Sequence, residues 1–519
     1  MNKDSSEMQA AILAWIGRIG AAGAEDVAAR FGLSVAGARA RLAVVQRGGL
    51  IIAGLGFAAL VPRSMGPELY GRYALVAALA VVMAACSTLG VTETIGRHGS
   101  ALAAGRDHTA LQRLFGSVLT LRLASGLSAA VVYIAVTGWW LRDLDQMALG
   151  AAAAAVLARA IWLALFSLFL GLNQAAWWGA GELIDRWAVL VFVFLGVLAG
   201  GFRGACIGLL VSEVAVLAIG LWWTRDYLSL RWPDWTYLSP FLRVGLTFFG
   251  ANLLSIALQG SGEVLIRGIT GDYAEVSYYG VANGAFLSGM AGIQQLSLAF
   301  VAALVMLRQE GQSALLDDAT RRLTTWMTAG IMTVVFAALF LAPDLVPLVV
   351  GRAYGPVSVN LLPMALTLLV QALCSGVSVF LLASDRGRVV LVGSGLRLAA
   401  FWILGPLLIA WRGSLGAWIA MLAAFVLQAV YLGWRVRAEI PQTLRAWCAG
   451  VALGAPFVVL LWLRGPVWVN VAVWMGACGA YLVALTAAGV VRRGELAATW
   501  SALGLTGRAA RTPSQTPDG

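Results

Sequence analysis

Long apolar segments, separated by short polar ones, follow one another along almost the whole chain. Many are long enough to cross a membrane as helices, since about 20 apolar residues span a hydrocarbon core of about 30 Å. The pattern predicts an all-α, polytopic membrane protein with about 14 transmembrane helices. The predicted spans are 44–63, 73–93, 114–141, 147–172, 186–202, 204–224, 241–265, 277–303, 323–343, 356–383, 389–411, 413–434, 447–464 and 467–490.

The composition supports this class and excludes a soluble enzyme. The chain has 519 residues, of which 60% are hydrophobic and 12% charged, and its mean hydropathy is +0.84. Soluble domains are about 45–50% apolar and about 25% charged. The five cysteines form no Cys-x-x-Cys pair, so neither a disulfide framework nor a metal site is predicted. We expect no cofactor and no catalytic residue.

The net charge of +11 comes from 36 basic and 25 acidic residues. The basic residues fall mainly in the short loops, which argues against nucleic acid as a partner. Counted on alternate sides of the predicted spans, 25 lie on the side of both termini and 8 on the other. Because cytoplasmic loops are enriched in Lys and Arg, we expect both termini in the cytoplasm and the protein in the inner membrane.

The two halves of the chain contain similar sequences in the same order. The number of residues between matching positions rises slowly, from 204 between Arg63 and Arg267 to 209 between Arg113 and Arg322. A duplicated six-helix unit with small insertions would produce this drift, and transporters built from such repeats bind substrate between the halves. The predicted domains are a helical N-terminal segment (1–43), an N-lobe (44–240), a C-lobe (241–434), a C-terminal helix pair (435–490) and a disordered cytoplasmic tail (491–519).

Three short motifs carry a resemblance to a known family. Gly-Pro-Glu-Leu-Tyr-Gly-Arg-Tyr stands at 66–73, Glu-Val-Leu-Ile-Arg-Gly at 263–268 and Val-Ser-Tyr-Tyr-Gly-Val-Ala at 276–282. Over roughly residues 44–435 the chain resembles the polysaccharide-biosynthesis (O-antigen and exopolysaccharide) flippases of the multidrug/oligosaccharidyl-lipid/polysaccharide exporter superfamily. That family usually has Asp where Glu263 stands, so a carboxylate is retained.

The resemblance implies translocation of a lipid-linked oligosaccharide or polysaccharide precursor across the inner membrane by alternating access, without enzymatic activity. The expected partners are the lipid-linked glycan, membrane lipids, and a polysaccharide polymerase with its export machinery. Two alternatives stay open. One is an ion-coupled small-molecule exporter of the same superfamily, which an acid-lined cavity would favour. The other is a membrane polysaccharide polymerase, which would carry larger external loops than the sequence shows.

Charged residues at membrane depth are the candidate site, because each costs at least about 2.5–3.5 kcal/mol on insertion scales. Guanidinium groups bind pyrophosphate oxygens bidentately, so arginines could hold the headgroup of a lipid-linked glycan. Snorkelling of Arg122 or Arg186 to the interface, and a purely structural pair between Arg159 and Glu213, are the competing interpretations. The candidate substrate-binding residues are Arg122, Arg159, Arg186 and Arg397, and the candidate coupling or charge partners are Asp185, Glu213 and Glu263.

Two further features have several interpretations. Residues 12–42 resemble a helix-turn-helix, which predicts a small cytoplasmic cap, an amphipathic approach to the first span, or a DNA-binding unit. The pairs Trp139-Trp140, Trp177-Trp178 and Trp222-Trp223 lie at span ends. Interfacial belts of aromatic residues explain them most simply, and platforms for stacking sugars are the alternative.

Overall fold

The computed structural model describes residues 35–90, 95, 108–172, 174–228, 235–309, 313–384, 386–463 and 465–491. The predictions for residues 1–34, which hold most of the helix-turn-helix-like segment, lie outside the described residues. So does the predicted tail from residue 492 onward.

The described residues are almost entirely helical and contain no strand, which confirms the all-α prediction. Short 3-10 segments cover Arg225–Tyr227, Arg352–Tyr354 and Ala455–Leu463. The α-helices are α1 (Val35–Cys86), α2 (His108–Trp140), α3 (Gln146–Gly171), α4 (Ala175–Thr224), α5 (Trp235–Thr270), α6 (Tyr273–Gln309), α7 (Ser313–Phe340), α8 (Ala342–Val349), α9 (Val357–Ala383), α10 (Gly387–Val436), α11 (Pro441–Gly454) and α12 (Val467–Ala487).

Nine helices among the described residues are long and apolar enough to cross a membrane. Large apolar side chains on them face outward, as on Trp462, Leu407 and Ile403. Soluble proteins rarely expose this much apolar surface. The chain is therefore a multi-pass membrane protein, and the count of fourteen spans stays a prediction.

Three long helices are interrupted at a predicted loop or within three residues of one. α1 breaks at Gly66, whose φ of 74° favours glycine, and the helix resumes at Pro67. The predicted loop at 64–72 is therefore helical except at this break. Proline fits there because the first turn of a helix needs no amide donor at that position. α4 breaks at Gly200 and Gly201, and α10 at Arg412 and Gly413.

The breaks in α4 and α10 have the same geometry, which supports the internal repeat. Gly201 has φ 56° and ψ −129°, and Gly413 has φ 56° and ψ −132°. Three residues after each break, the helices pass backbone to backbone. A Cβ on Gly204 would overlap the Gly196 carbonyl oxygen, and one on Gly416 would overlap the Leu408 carbonyl oxygen. Each of these positions in α4 lies 212 residues before its counterpart in α10.

The helices pack as two groups with α1 between them. α3 packs on α2 and α4 in the N-terminal half, and α10 packs on α5 and α9 in the C-terminal half. α1 contacts α3 and α4 of the N-terminal half and α5 and α6 of the C-terminal half. In the C-terminal half, Trp418 is fully buried and stacks on Tyr279 at 5.0 Å between ring centroids. α11 and α12 pack at the periphery against α7.

Candidate functional site

Arg159 of α3 lies at the centre of a group of polar side chains near the middle of the N-terminal half. Its Nη1 donates to Glu213 Oε1 at 2.6 Å, and its Nη2 lies 3.6 Å from Asp185 Oδ2. Both carboxylates come from α4, one from each side of the break. We call Arg159, Trp162, Asp185 and Glu213 the N-lobe cluster.

Trp162 completes the N-lobe cluster. It lies one helical turn after Arg159, so both side chains face the same direction. Its Nε1 donates to Glu213 Oε2 at 2.5 Å, and the Arg159 guanidinium lies 5.5 Å from its ring centroid. Both oxygens of Glu213 are thus satisfied, which explains how this carboxylate is tolerated at membrane depth. Spacing within α3 could have indicated Trp162, which the sequence analysis did not include.

The N-lobe cluster has one cation and two carboxylates. With both carboxylates ionised, it carries one net negative charge in a region where unpaired charge is expensive. Asp185 Oδ1 is buried and has no hydrogen-bond partner within the described part of the chain. The Asp185 and Glu213 side chains are 5% and 2% exposed, whereas Arg159 is 21% exposed. A proton or a monovalent cation at Asp185 would neutralise the cluster.

Arg397 of α10 is a buried cation in the C-terminal half. Its Nη1 donates to Gln428 Oε1 at 3.0 Å and its Nη2 to Ser255 Oγ at 2.9 Å. The guanidinium lies 4.5 Å from the centroid of the Phe425 ring. No carboxylate among the described residues pairs with it, and its Nε has no acceptor there. Within the described part of the chain, neutral groups therefore hold this charge.

The two buried sites occupy equivalent places in the repeat. Asp185 and Arg397 each lie 16 residues before the left-handed glycine of their helix, and Glu213 and Phe425 each lie 12 residues after it. Apart from the break itself, the intervening residues are helical in both halves, so these pairs have the same position along the helices. The N-terminal half therefore has two acids where the C-terminal half has an arginine stacked on a phenylalanine.

The remaining candidates lie apart from these two sites. Arg122 is fully buried and donates from Nη1 to Ser87 Oγ at 3.2 Å. Arg186 is exposed and makes no hydrogen bond or ion pair within the described ranges, although it adjoins Asp185. Glu263 is buried and accepts from Asn283 Nδ2 at 2.9 Å. No contact between described residues joins Arg122, Arg159, Arg186 and Arg397 in one cavity, so a shared arginine-lined site stays a prediction.

The two halves also meet at one end of the molecule, beyond the helices that hold these sites. Asp143, between α2 and α3, accepts from Tyr273 Oη at 2.8 Å and from Arg267 Nη2 at 3.1 Å. The Arg267 guanidinium lies 4.0 Å from the Tyr273 ring centroid. Partial burial and donation to Asp143 raise the pKa of Tyr273 to about 12. The phenol therefore stays protonated and keeps this contact across the physiological range.

In the described ranges, no three His, Cys, Asp or Glu residues lie close enough together to hold a metal ion. The chemistry available at the two buried sites is therefore binding of protons, cations or anions by charged side chains.

Comparison with known proteins gives the fold. No protein-family model matches the chain, and no curated protein does. A solved structure described as lipid II flippase MurJ in an inward closed conformation matches with TM-score 0.65 at 12% identity, covering 85% of this chain and 97% of that one. An inward-facing multidrug resistance MATE family transporter of the MOP superfamily matches with TM-score 0.60 at 16% identity, covering 77% and 96%. The chain has the fold of these transporters.

The outward-facing structure of such a MATE transporter also matches, with TM-score 0.56 at 16% identity over 78% of this chain and 96% of that one. The predicted helical transporter fold is thus confirmed at the level of architecture. Membership of the superfamily, and of its polysaccharide-biosynthesis flippases, stays a prediction.

Proposed function

We propose that this protein translocates an anionic, lipid-linked oligosaccharide across the inner membrane by alternating access between its two lobes. The observation that carries the proposal is Arg397, a buried guanidinium that is held, among the described residues, by an amide, a hydroxyl and an aromatic ring. A buried charge without a counter-charge is costly to the free protein. An anionic ligand would remove that cost, so the site favours binding of phosphate or pyrophosphate.

The hydrogen bonds that Arg397 makes within the protein can be replaced by hydrogen bonds to a ligand. Gln428 and Ser255 are neutral, so their hydrogen bonds to the guanidinium are weaker than those of a phosphate oxygen would be. They also come from different helices, since Ser255 lies in α5 and Gln428 in α10. Movement of α5 against α10 would therefore loosen the present contacts and open the guanidinium to substrate. The polyprenyl chain of the substrate would stay in the bilayer.

The N-lobe cluster supplies the coupling in this proposal. Its surplus negative charge can take up a proton or a monovalent cation, and release of that ion would favour the other conformation of the lobe. We place the Asp143–Tyr273 contact on the external face, because the predicted topology puts both loops there. The described conformation is then closed to the outside.

The second candidate function is ion-coupled export of a small molecule, and the excess acid at Asp185 and Glu213 is the observation that favours it. Solved structures of the same fold include both a lipid II flippase and multidrug transporters. The two candidates differ in substrate charge, since a cationic drug would be repelled by Arg397. Partners such as a polysaccharide polymerase belong with the first candidate alone.

The test is transport of a fluorescent polyprenyl-pyrophosphate oligosaccharide in proteoliposomes. Arg397→Lys should keep part of the transport, because the charge remains without the bidentate fork, and Arg397→Gln should abolish it. Arg435→Gln, at the exposed end of the same helix, is the matched control. Normal transport by a stable Arg397→Gln protein would refute the proposal. Efflux of a cationic dye with no transport of the labelled glycan would establish the second candidate.

Gene deletion provides an independent measurement in the cell. Under the proposed function, a lipid-linked glycan accumulates on the cytoplasmic side of the membrane and surface polysaccharide is lost. Unchanged lipid-linked intermediates in the deletion strain would contradict it.

A further inference from the structure

A pocket outside both buried sites opens at one end of the N-terminal half. Its volume is about 310 Å³, at the lower end of the range of about 300–1,000 Å³ typical of small-ligand sites. Five aromatic side chains line most of it: Phe169, Trp177, Trp222, Trp223 and Tyr227. Gln174 and Arg225 supply the polar groups and the charge. We call this the aromatic pocket.

The aromatic rings form one packed wall. Trp177 and Trp223 meet edge to face with centroids 4.9 Å apart, and Phe169 stacks on Trp177 at 6.0 Å. These contacts join the end of α3 to both ends of α4. The pocket is thus built by tertiary packing of the helix ends, and the rings are not an unconnected belt of interfacial side chains.

The polar groups of the aromatic pocket indicate what it would bind. Trp223 Nε1 is buried and has no acceptor among the described residues, although buried donors are nearly always paired. Gln174 stands at the N-cap of α4 but makes no capping hydrogen bond. Among the described residues that line the pocket, Arg225 carries the charge, so a quaternary ammonium, which aromatic cages otherwise attract, would be repelled. The pocket therefore suits an anion with hydroxyl or phosphate oxygens.

The position of the pocket further restricts the class of ligand that it would bind. Its lining residues lie at the ends of α3 and α4 and in the 3-10 segment that follows α4, at the level where Trp and Tyr meet the lipid headgroups. We propose that the aromatic pocket binds the phosphorylated, hydroxyl-bearing headgroup of a membrane lipid. Arg225 would contact the phosphate, Trp223 and Gln174 the oxygens, and the rings the apolar face of the polyol.

Two sources of this headgroup chemistry exist: a bulk anionic phospholipid such as phosphatidylglycerol, and a polyprenyl-phosphate sugar. The second source rests on the proposed function, for which the pocket would be a docking point ahead of transport. The first source does not, so the pocket could bind lipid even if the transported substrate were something else.

Native mass spectrometry of the full-length protein from nanodiscs tests the proposal. Three probes are compared: phosphatidylglycerol, polyprenyl-phosphate glucose and phosphatidylcholine. Loss of one charge-assisted hydrogen bond should weaken binding about tenfold. We therefore expect Arg225→Gln and Trp223→Phe each to reduce affinity about tenfold for one of the first two probes, leaving phosphatidylcholine unchanged. The affected probe identifies the source.

The matched controls are Trp139→Phe and Arg142→Gln, which make the same chemical changes at exposed positions near the opposite end of the N-terminal half. Equal losses in the controls, or no loss in the pocket variants, would overturn the proposal. Arg397→Gln should leave headgroup binding intact while abolishing transport, which separates failure of the pocket from failure of the proposed function.

A second measurement covers the case in which a pocket variant fails to fold. A photoactivatable phosphatidylglycerol and a photoactivatable polyprenyl-phosphate glucose, each carrying the label in its headgroup, are crosslinked to the unmodified protein. Adducts of either probe on peptides containing 169–177 or 222–227 support the pocket. Adducts of both probes confined to other peptides refute it.

Discussion

Asp185 and Arg397 occupy equivalent positions in the two halves of the molecule, each 16 residues before a glycine with left-handed backbone. One position holds an anion paired with Arg159, and the other a cation paired with no carboxylate among the described residues. Equivalent positions on helices of the same geometry therefore carry opposite charges in the two halves. Such an arrangement suits a transporter that binds a cation in one lobe and an anion in the other.

Removal of the Arg159 side chain should destabilise the protein. Arg159→Ala leaves Glu213 and Asp185 as buried anions without a counter-charge, a loss of about 3–5 kcal/mol for a buried pair. We expect a large fall in protein abundance and in the thermal unfolding midpoint in detergent. Arg159→Ala with Glu213→Gln should recover most of the loss, because the amide oxygen still accepts from Trp162. If Arg159→Ala alone has normal abundance, the pair does not stabilise the fold.

Neutralisation of Asp185 should uncouple transport from its driving ion. Asp185→Asn removes the surplus negative charge and leaves the Arg159–Glu213 contact in place. We expect transport in proteoliposomes to lose its dependence on a proton or sodium gradient, while abundance stays normal. Glu182→Gln is the control, since that residue lies one helical turn before Asp185 and is more exposed to solvent. Retained gradient dependence in the Asp185 variant would exclude this carboxylate as the coupling group.

The helical hairpin within α4 should not tolerate a side chain at Gly204. Because a Cβ there overlaps the Gly196 carbonyl oxygen, Gly204→Ala should force the helices apart and cost about 1–3 kcal/mol. Gly200→Ala, in the same hairpin, is the matched control: its Cβ meets no atom within 4 Å and its φ of −160° is open to alanine. Thermal unfolding should separate the two variants by several degrees. Equal midpoints would show that the close approach does not hold in solution.

Weakening of the contact at Asp143 should shift the balance between conformations. Asp143→Asn keeps an acceptor for Tyr273 but loses the charge that attracts Arg267. We expect the two halves to separate more often at this end. Spin labels on residues 142 and 269, with native cysteines replaced, would report longer distances in the variant. A Thr270→Ala protein, altered in the same region without loss of charge, should resemble the unmodified distribution.

The ion pair of Asp145 with Arg203 should make stability depend on pH in the acid range. Asp145 caps α3 by accepting from the Met147 amide at 2.9 Å, and the Arg203 guanidinium lowers its pKa below the usual value. A lowered native pKa stabilises the fold above the unfolded pKa of about 3.9. That gain is lost as pH falls through the native pKa.

Asp145→Asn retains the capping acceptor and removes the charge, so it isolates the ion pair. The unfolding midpoint of the unmodified protein should exceed that of the variant at pH 7 and low salt. The difference should shrink toward pH 3 and at high salt, because the pair is exposed and screened. A difference that is independent of both pH and salt would assign the effect to another interaction.

Much of the architecture could be predicted from the sequence, because helices that cross a membrane are set by local runs of apolar residues. Several predicted spans, such as 147–172, 356–383 and 467–490, agree with helices of the structure to within a few residues. The repeat was also detectable, since a duplication leaves matching motifs. The loop at 64–72 was misjudged because hydropathy does not distinguish a polar loop from a polar helix end.

The partners of the charged side chains were decided by tertiary structure alone. The sequence by itself determined that Arg159, Glu213 and Arg397 lie within predicted spans, where each needs a partner or a wet site, and that Asp185 directly precedes one. Which side chains meet depends on how helices rotate and cross, and no local pattern encodes that. The pairing of Arg159 with two acids, the stacking of Arg397 on Phe425 and the ring contacts of the aromatic pocket therefore appear only once the helices are packed.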